Sequence, residues 1–128
     1  MARDPEAIVA RPFRTNARVR YPETDRMGVA HHASYLVWFE LGRTELMRDL
    51  GCPYGEVEDV EAIFFPVAEL GARFLSPARY DDVLEITTTL VAAKGARVRF
   101  EYEVSRRGEA SPLATGFTVH ACVDREGR

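Results

Sequence analysis

The sequence predicts an α+β fold in which one long amphipathic helix packs against an antiparallel sheet. Two observations lead to this fold class. Apolar residues alternate at every second position in several short segments, as is typical of half-buried strands. In a single segment, beginning near residue 32, they recur every three or four positions, as in an amphipathic helix. One helix among strands with short connections packs as an α+β layer pair.

The first strand is predicted in the segment NARVRY, which precedes the helix. Ala17, Val19 and Tyr21 share one face of this strand, and arginines occupy the other. Pro22 ends the strand because proline has no backbone N–H to donate to a ladder.

The helix is predicted to run from about His32 to Leu50, which is about five turns. Gly51 and Pro53 mark its end, because glycine commonly stops a helix and proline cannot continue one. Trp38 lies off the main apolar stripe together with Leu41, so we expect part of the second face of the helix to be covered as well, for example by a partner. The main stripe comprises Leu36, Phe39, Leu46, Met47 and Leu50.

Four further strand patterns follow the helix. AIFFPVAELGARFL contains Pro66 and Gly71, which indicate an edge strand, a bulge or a break. The other three patterns are VLEITTTLV, RVRFEYEV and GFTVHACV, joined by AAKGA and SRRGEASP as hairpin loops. Their predicted inward residues are Leu84, Ile86 and Leu90, then Val98, Phe100, Tyr102 and Val104, and finally Phe117, Val119, Ala121 and Val123. Because such a sheet leaves open edges, we expect a homo-oligomer that pairs them.

The composition limits the classes of function. The chain has 128 residues, with 17 Lys+Arg, 20 Asp+Glu and a formal net charge of −3. This balance argues against a nucleic-acid binder, whose surface is usually basic. We predict one domain over residues 14–128 after a lead-in at residues 1–13. Cys52 and Cys122 match no metal or redox spacing, so reduced thiols in the cytoplasm are expected, without a signal peptide or membrane span.

The segment YPETDRMGVAHHASYLVWFE, residues 21–40, concentrates the residues with chemical potential. It places Asp25, Gly28 and the pair His31 and His32 at the start of the predicted helix. A carboxylate at this position can form a turn or cap the helix. It can equally act as a base or a nucleophile. A metal site is not predicted, because adjacent histidines point in different directions and His120 could join them only through folding.

A longer run, RVRYPETDRMGVAHHASYLVWFELGRTELMRDLG, resembles the hot-dog-fold thioesterases of the 4-hydroxybenzoyl-CoA thioesterase family, including the Tol–Pal-associated acyl-CoA thioesterases. FLSPARYDDVLEI is a second match, and the resemblance extends over about residues 15–124. It implies a sheet wrapped around one long helix, and a homodimer or homotetramer with sites at subunit boundaries. The implied reaction is hydrolysis of an acyl-CoA to a carboxylic acid and free coenzyme A. The matching residues are Glu23, Thr24, Asp25, Gly28, His31, His32, Tyr35, Phe39, Glu40, Arg43 and Thr44.

The resemblance also implies roles for the site residues. Asp25 is the catalytic carboxylate, acting as nucleophile or general base. The oxyanion donors are backbone N–H groups near Gly28 and His32, with that of residue 32 foremost; Gly28 alternatively meets a need for positive φ. His31 is a wall of the substrate pocket or an ordinary surface residue. Tyr35 shapes the acyl pocket or belongs to the core.

Coenzyme A carries phosphates, so its path should be basic. The candidates are Lys94, Arg97 and Arg99 at a predicted hairpin, then Arg106 and Arg107, because arginine can bind phosphate through two bonds. An ordinary solvated face is the alternative. Neither a metal nor a bound cofactor is expected, since coenzyme A is part of the substrate.

Two helix residues, Glu40 and Gly42, each have two possible interpretations. Glu40 is a rival carboxylate, although pairing with Arg43 or Thr44 within one turn is the better-founded interpretation. Gly42 costs about 1 kcal/mol against alanine inside a helix, which indicates close packing or room for an acyl group.

Two other functions are considered beside the thioesterase. A hot-dog hydratase or dehydratase would pair Asp25 with a histidine. A non-catalytic module would bind acyl-CoA without turnover.

Overall fold

The computed structural model describes residues 12–51, 64–124 and 126–127, so most of the predicted lead-in and Cys52 lie outside the described residues. A 3₁₀ turn, Tyr21–Glu23, precedes the long helix. The predicted helix is confirmed to within one residue at its end. The other elements are β1 (Phe13–Arg18), α1 (His32–Asp49), β2 (Val67–Phe74), β3 (Val83–Lys94), β4 (Arg97–Arg106) and β5 (Pro112–Ala121).

The strands form a single sheet in the order β1-β3-β4-β5-β2, and every neighbouring pair is antiparallel. The helix α1 packs against β1, β3 and β4. The predicted α+β fold, with one helix laid against an antiparallel sheet, is therefore confirmed. Since β1 and β2 each have only one neighbour, they are the two edges of the sheet. Of the alternatives of an edge, a bulge or a break for this segment, the structure shows an edge strand with a bulge between Val67 and Glu69.

The core lies between α1 and the sheet. Phe39 of α1 stacks on Tyr102 of β4, with ring centroids 4.5 Å apart and an interplanar angle of 8°. Trp38 is only 2% exposed and contacts Tyr35 edge-on, so this part of the second helix face is covered, as expected, and the core of the same chain covers it. Full burial of one large apolar side chain stabilises the fold by about 1.5–3 kcal/mol. The most buried neighbours include Leu46, Leu84, Ile86, Phe100 and Val104.

The helix approaches β3 closely at Gly42. A Cβ atom added there would overlap the side chain of Thr88 and lie 2.9 Å from Cγ2 of Ile86. The space beside Gly42 is thus filled by the sheet. Of the two alternatives for this glycine, close packing is the one observed, and the helix–sheet interface leaves no room there for an acyl group.

The prediction for β5 was wrong about which face of the strand points inward. Phe117 lies on the outer face, where the Arg99 guanidinium carbon is 4.2 Å from its ring centroid. Pairing explains the inversion: Phe100 and Tyr102 of β4 point inward, and residues paired side by side share a face. β5 also begins four residues earlier than expected. Its inward residues are Ala114, Gly116, Thr118 and His120.

The two inward polar residues of β5 belong to a buried hydrogen-bond chain. The hydroxyl of Tyr102 lies 2.5 Å from Oγ1 of Thr118, which lies 2.8 Å from Nε2 of His120. Nδ1 of His120 lies 2.9 Å from the carbonyl oxygen of Phe65. A carbonyl can only accept, so Nδ1 carries the proton and Nε2 accepts from Thr118. Because both ring nitrogens of His120 are hydrogen-bonded, the core accommodates this polar side chain without an unpaired buried atom.

Tyr21 and Leu50, expected at the ends of buried faces, are exposed instead. Tyr21 is 78% exposed because β1 ends at Arg18 and the chain enters the 3₁₀ turn. Leu50 follows the last helical residue, Asp49. In both cases the apolar pattern in the sequence continues beyond the last residue of the strand or helix.

Candidate active site

Asp25 opens a tight turn between the 3₁₀ turn and α1. The N–H of Gly28 donates to the Asp25 carbonyl at 3.0 Å, and the N–H of Met27 donates to its Oδ1 at 2.8 Å. Gly28 has φ of +78°, so the alternative of a backbone requirement for glycine is met. The side chain of Asp25 is exposed, and its second oxygen accepts no hydrogen bond from residues 12–51 or 64–124. One carboxylate oxygen is oriented while the other is available for chemistry.

The loop that carries Asp25 is held on two sides. Thr24 and Ala30 form an antiparallel bridge across its base. On the other side, the N–H of Ala30 donates to the Ala78 carbonyl at 2.8 Å, and the N–H of Tyr80 donates to the Gly28 carbonyl at 3.2 Å. The loop is therefore a miniature hairpin docked on the segment that leads into β3.

The start of α1 leaves one backbone donor open. His31 is the N-cap: its Nδ1 accepts from the N–H of Ala33 at 3.1 Å, and its carbonyl accepts from the N–H of Ser34 at 2.9 Å. The N–H of His32 finds no acceptor in the described part of the chain. An unpaired amide at a helix N-terminus favours negative charge. The geometry thus leaves the N–H of His32 open to an acceptor from outside the described residues.

The capping role of His31 was missed from the sequence, where serine, threonine, aspartate and asparagine are the expected caps. Its ring also lies 4.1 Å from that of His32, centroid to centroid, with a tilt of 30°. Both rings are exposed. His31 is therefore a surface residue that completes the helix start, and its contact with a substrate stays a prediction.

Tyr35 lies in the core. Its hydroxyl accepts a hydrogen bond from the N–H of Ala78 at 3.2 Å, and its ring contacts Trp38 and Phe74 edge-on. The side chain is nearly fully buried. Of the two roles considered for Tyr35, the structure shows the core position, from which it supports the segment beneath the Asp25 loop.

The predicted phosphate-binding residues are not brought to Asp25 within one protomer. The Asp25 loop docks beside the start of β3, whereas Lys94 and Arg97 flank the turn at its far end. At about 3.3 Å per residue, β3 separates the two positions by roughly 36 Å. Arg99 lies on the outer face of the sheet, 3.3 Å from the Glu101 carboxylate. These three residues can serve the site only if a second copy brings them to it.

Glu40 and Arg106 also differ from expectation. Glu40 is exposed and makes no ion pair or hydrogen bond with Arg43 or Thr44 among the described residues, so the predicted pairing is not formed. Arg106 lies near the Asp25 end of the sheet, but its guanidinium is engaged by Asp82 at 3.0 Å and by Glu109 at 3.3 Å. Neither side chain contributes to the geometry around Asp25.

No group of three or more His, Cys, Asp or Glu side chains is arranged to hold a metal ion within the described ranges. His120 is committed to Thr118 and Phe65 and does not approach the His31–His32 pair. A groove of about 570 Å³ lies on the outer face of the sheet and is lined by residues of β2, β3, β4 and β5. Neither Asp25 nor the first residues of α1 line this groove, so it is separate from the Asp25 loop.

Comparison with known proteins assigns the family. The model of the thioesterase-like superfamily matches residues 19–128. The chain belongs to this superfamily. YneP of Bacillus subtilis is 38% identical over 109 residues, covering 84% of this chain and 77% of that protein. The acyl-CoA thioester hydrolase YbgC of Escherichia coli is 33% identical over 112 residues, covering 88% and 82%.

A solved structure has the same architecture. The crystal structure of a probable thioesterase from Bartonella henselae matches with a TM-score of 0.86 at 34% identity, covering 92% of this chain and 96% of that one. The hot-dog thioesterase resemblance and the fold it implied are therefore confirmed. The helix of the described residues is too short or too polar to cross a membrane.

Proposed function

We propose that this chain hydrolyses an acyl-CoA thioester in the cytoplasm, giving a carboxylic acid and free coenzyme A. One observation carries the proposal. The docked loop presents an unpaired oxygen of Asp25, and the helix start that follows the loop presents the unpaired N–H of His32. Thioester hydrolysis needs both a carboxylate at the carbonyl carbon and a donor for its oxygen. The names of the acyl-CoA thioester hydrolases in the family agree with this chemistry.

Asp25 acts in one of two ways. As a general base, its open oxygen takes a proton from water while that water attacks the carbonyl carbon. As a nucleophile, the same oxygen attacks directly and forms a mixed anhydride, which water then hydrolyses. In both routes the carbonyl oxygen becomes negative and accepts from the N–H of His32, and coenzyme A leaves as the thiolate. In the base route the thiolate receives the proton that Asp25 took from water, and in the nucleophile route it takes a proton from solvent. No metal or bound cofactor takes part.

The test is release of free thiol from short-chain, long-chain and aromatic acyl-CoAs. We expect Asp25→Asn to lower kcat by about 100-fold or more, because it removes the base or nucleophile while the amide can still accept from the N–H of Met27. Glu40→Gln is the matched control, since it neutralises an exposed helix carboxylate and should leave kcat unchanged. Equal activity of wild type and Asp25→Asn, or a large loss in Glu40→Gln, would refute the assignment of Asp25.

The same panel separates the two rival functions. A hydratase would consume an enoyl-CoA without releasing thiol. A binding module would bind acyl-CoA tightly, and neither wild type nor Asp25→Asn would turn it over. Thiol release that depends on Asp25 is expected only for the thioesterase.

The working enzyme is proposed to be a homodimer, or a homotetramer built from such dimers, joined through β2. The exposed residues of β1 are Arg14, Asn16 and Arg18, whereas most of those of β2 are apolar. The exposed residues of β2 are Val67, Ala68, Glu69, Leu70, Ala72, Arg73 and Phe74. Charged edges resist pairing, and apolar edges promote it. Antiparallel pairing of two β2 strands about a two-fold axis turns the partner sheet end for end.

This arrangement gives the basic hairpin a place in the site. The β3–β4 turn of the partner comes to the same edge of the assembly as the Asp25 loop. Lys94 and Arg97 of the partner, with Arg99 behind them, then bind the phosphates of coenzyme A. The site is thus composite: one protomer supplies the carboxylate and the amide, and its partner supplies the phosphate contacts.

A further inference from the structure

The backbone carbonyl of Glu23 accepts two hydrogen bonds from the start of α1. The N–H of His31 donates to it at 2.8 Å, and the hydroxyl of Ser34 donates at 3.0 Å. Both Glu23 and Ser34 are about nine-tenths buried. The two donors come from positions 8 and 11 residues later in the chain, so these bonds close the neck of the loop that carries Asp25.

The side chain of Glu23 fixes the same residue from the other direction. Its Oε1 accepts from the N–H of Arg20 at 2.7 Å, and its Oε2 lies 3.4 Å from Nη2 of Arg20. Glu23 is therefore held both to Arg20, which precedes the 3₁₀ turn, and to the first turn of the helix. We refer to Glu23 and Ser34, with these bonds, as the neck clamp.

Helix capping alone does not account for Ser34. His31 already accepts from the N–H groups of Ala33 and Ser34, so the Ser34 hydroxyl is not needed to cap these two amides. That hydroxyl donates away from the helix, to a residue two positions before Asp25. Ser34 itself lies two positions after His32. The bond thus joins the two stretches of chain that carry the carboxylate and the oxyanion donor.

We infer that Ser34 and Glu23 are positioning residues, which hold the Asp25 carboxylate in register with the N–H of His32. The inference rests on the proposed thioesterase function. Neither residue needs to touch the substrate. Misplacement of reacting groups by about 1 Å can cost on the order of 100-fold in rate. Loss of the Ser34 hydrogen bond alone should displace the Asp25 carboxylate and the N–H of His32 by a smaller distance, because the N–H of His31 still donates to the Glu23 carbonyl.

The test compares Ser34→Ala with Thr118→Val, a matched control that removes a buried hydroxyl from β5, far from the loop. We expect Ser34→Ala to lower kcat by about tenfold, while the Kd of a non-hydrolysable thioether analogue of the substrate changes less than about twofold. Thr118→Val should lower the melting temperature and keep kcat. Ser34→Thr, which restores a hydroxyl donor, should recover most of the lost rate.

A second readout does not depend on activity. Amide hydrogen exchange in Ser34→Ala should accelerate at His31 and at Asp25, whose N–H donates across the loop to Val29. Exchange in β4 and β5 should remain as in the wild type. If the loop amides exchange no faster, or if kcat stays within about twofold of the wild type, the positioning role is wrong.

Failure of the proposed function would look different. In that case the wild type would release no thiol, or Asp25→Asn would be as active as the wild type, whatever Ser34→Ala does. If Asp25→Asn is impaired and Ser34→Ala is not, the thioesterase assignment stands and only the neck clamp is refuted. A rate loss of equal size in Ser34→Ala and Thr118→Val would also refute it, because the loss would then reflect general destabilisation.

Discussion

At the scale of single residues, His120 should make the stability of the protein sensitive to acid. Burial lowers the pKa of His120, and the charge of Arg43 lowers it further, against the opposing hydrogen bond to Phe65. The unfolded chain therefore takes up a proton first, near pH 6.5. Neutral His120 therefore contributes its full stabilisation of the folded state above about pH 6.5. As the pH falls from there to the lower pKa of the folded state, the free energy of unfolding decreases by up to about 1.4 kcal/mol per pH unit.

Urea unfolding of wild type and His120→Gln between about pH 5 and pH 7 measures this effect. Glutamine can donate to Phe65 and accept from Thr118, but it does not titrate. The free energy of unfolding of the variant should therefore depend less on pH. Parallel curves for the two proteins would contradict the assignment to His120. His31→Gln is the control, because its ring is exposed and its loss removes a cap without removing a buried titrating group.

At the scale of elements, the contact of α1 with β3 depends on Gly42. Alanine would gain about 1 kcal/mol in an isolated helix. Here its Cβ would overlap Thr88 and approach Ile86, and such overpacking typically costs about 1–3 kcal/mol. We expect Gly42→Ala to lower the free energy of unfolding, measured in urea. In a Thr88→Ala background the loss should shrink, and a more stable Gly42→Ala protein would contradict the close contact.

The Thr88 hydroxyl strengthens this double-mutant comparison. It is fully buried and has no hydrogen-bond partner among the described residues. Removing this hydroxyl by Thr88→Ala therefore leaves no hydrogen-bond partner unpaired. The double-mutant cycle of Gly42→Ala and Thr88→Ala then measures chiefly the steric contact between α1 and β3. A loss of the same size in both backgrounds would place the strain elsewhere, for example at Ile86.

At the scale of the whole molecule, a composite site predicts complementation between two defective subunits. Asp25→Asn and the double variant Lys94→Gln/Arg97→Gln should each have low kcat/KM as homodimers. Heterodimers, co-expressed with two different tags and purified through both, should regain about half of the wild-type kcat/KM, because one of their two sites is intact. The physical reason is that each intact site takes its carboxylate and its basic hairpin from different copies.

Two outcomes would contradict this arrangement. Heterodimers no more active than the better homodimer would place both functions in one protomer or remove the hairpin from the site. A monomeric wild type, seen by sedimentation, would remove the dimer itself. The control pairs Asp25→Asn with Glu40→Gln, whose heterodimer should have about half the wild-type activity because only one subunit carries Asp25.

Much of the fold follows from local sequence. The three- and four-residue spacing of Leu36, Phe39 and Leu46 predicted the helix, and Gly51 predicted its end. Pro66 and Gly71 predicted an edge, a bulge or a break in the segment of β2, which is an edge strand with a bulge. These features are predictable because period, helix stops and proline act within a few residues. The turn at Asp25 and Gly28 is equally local, so the sequence also placed this turn just ahead of the helix.

Sequence by itself determined the fold class, the family and the position of the candidate carboxylate, because these depend on contiguous segments. Tertiary structure alone decided that Thr118 and His120 face inward, that Gly42 closes the helix against β3, and that the basic hairpin lies far from Asp25 in one protomer. The physical reason is register. Which side chains meet is set by pairing between strands distant in sequence, and a local pattern of apolar residues does not contain that information.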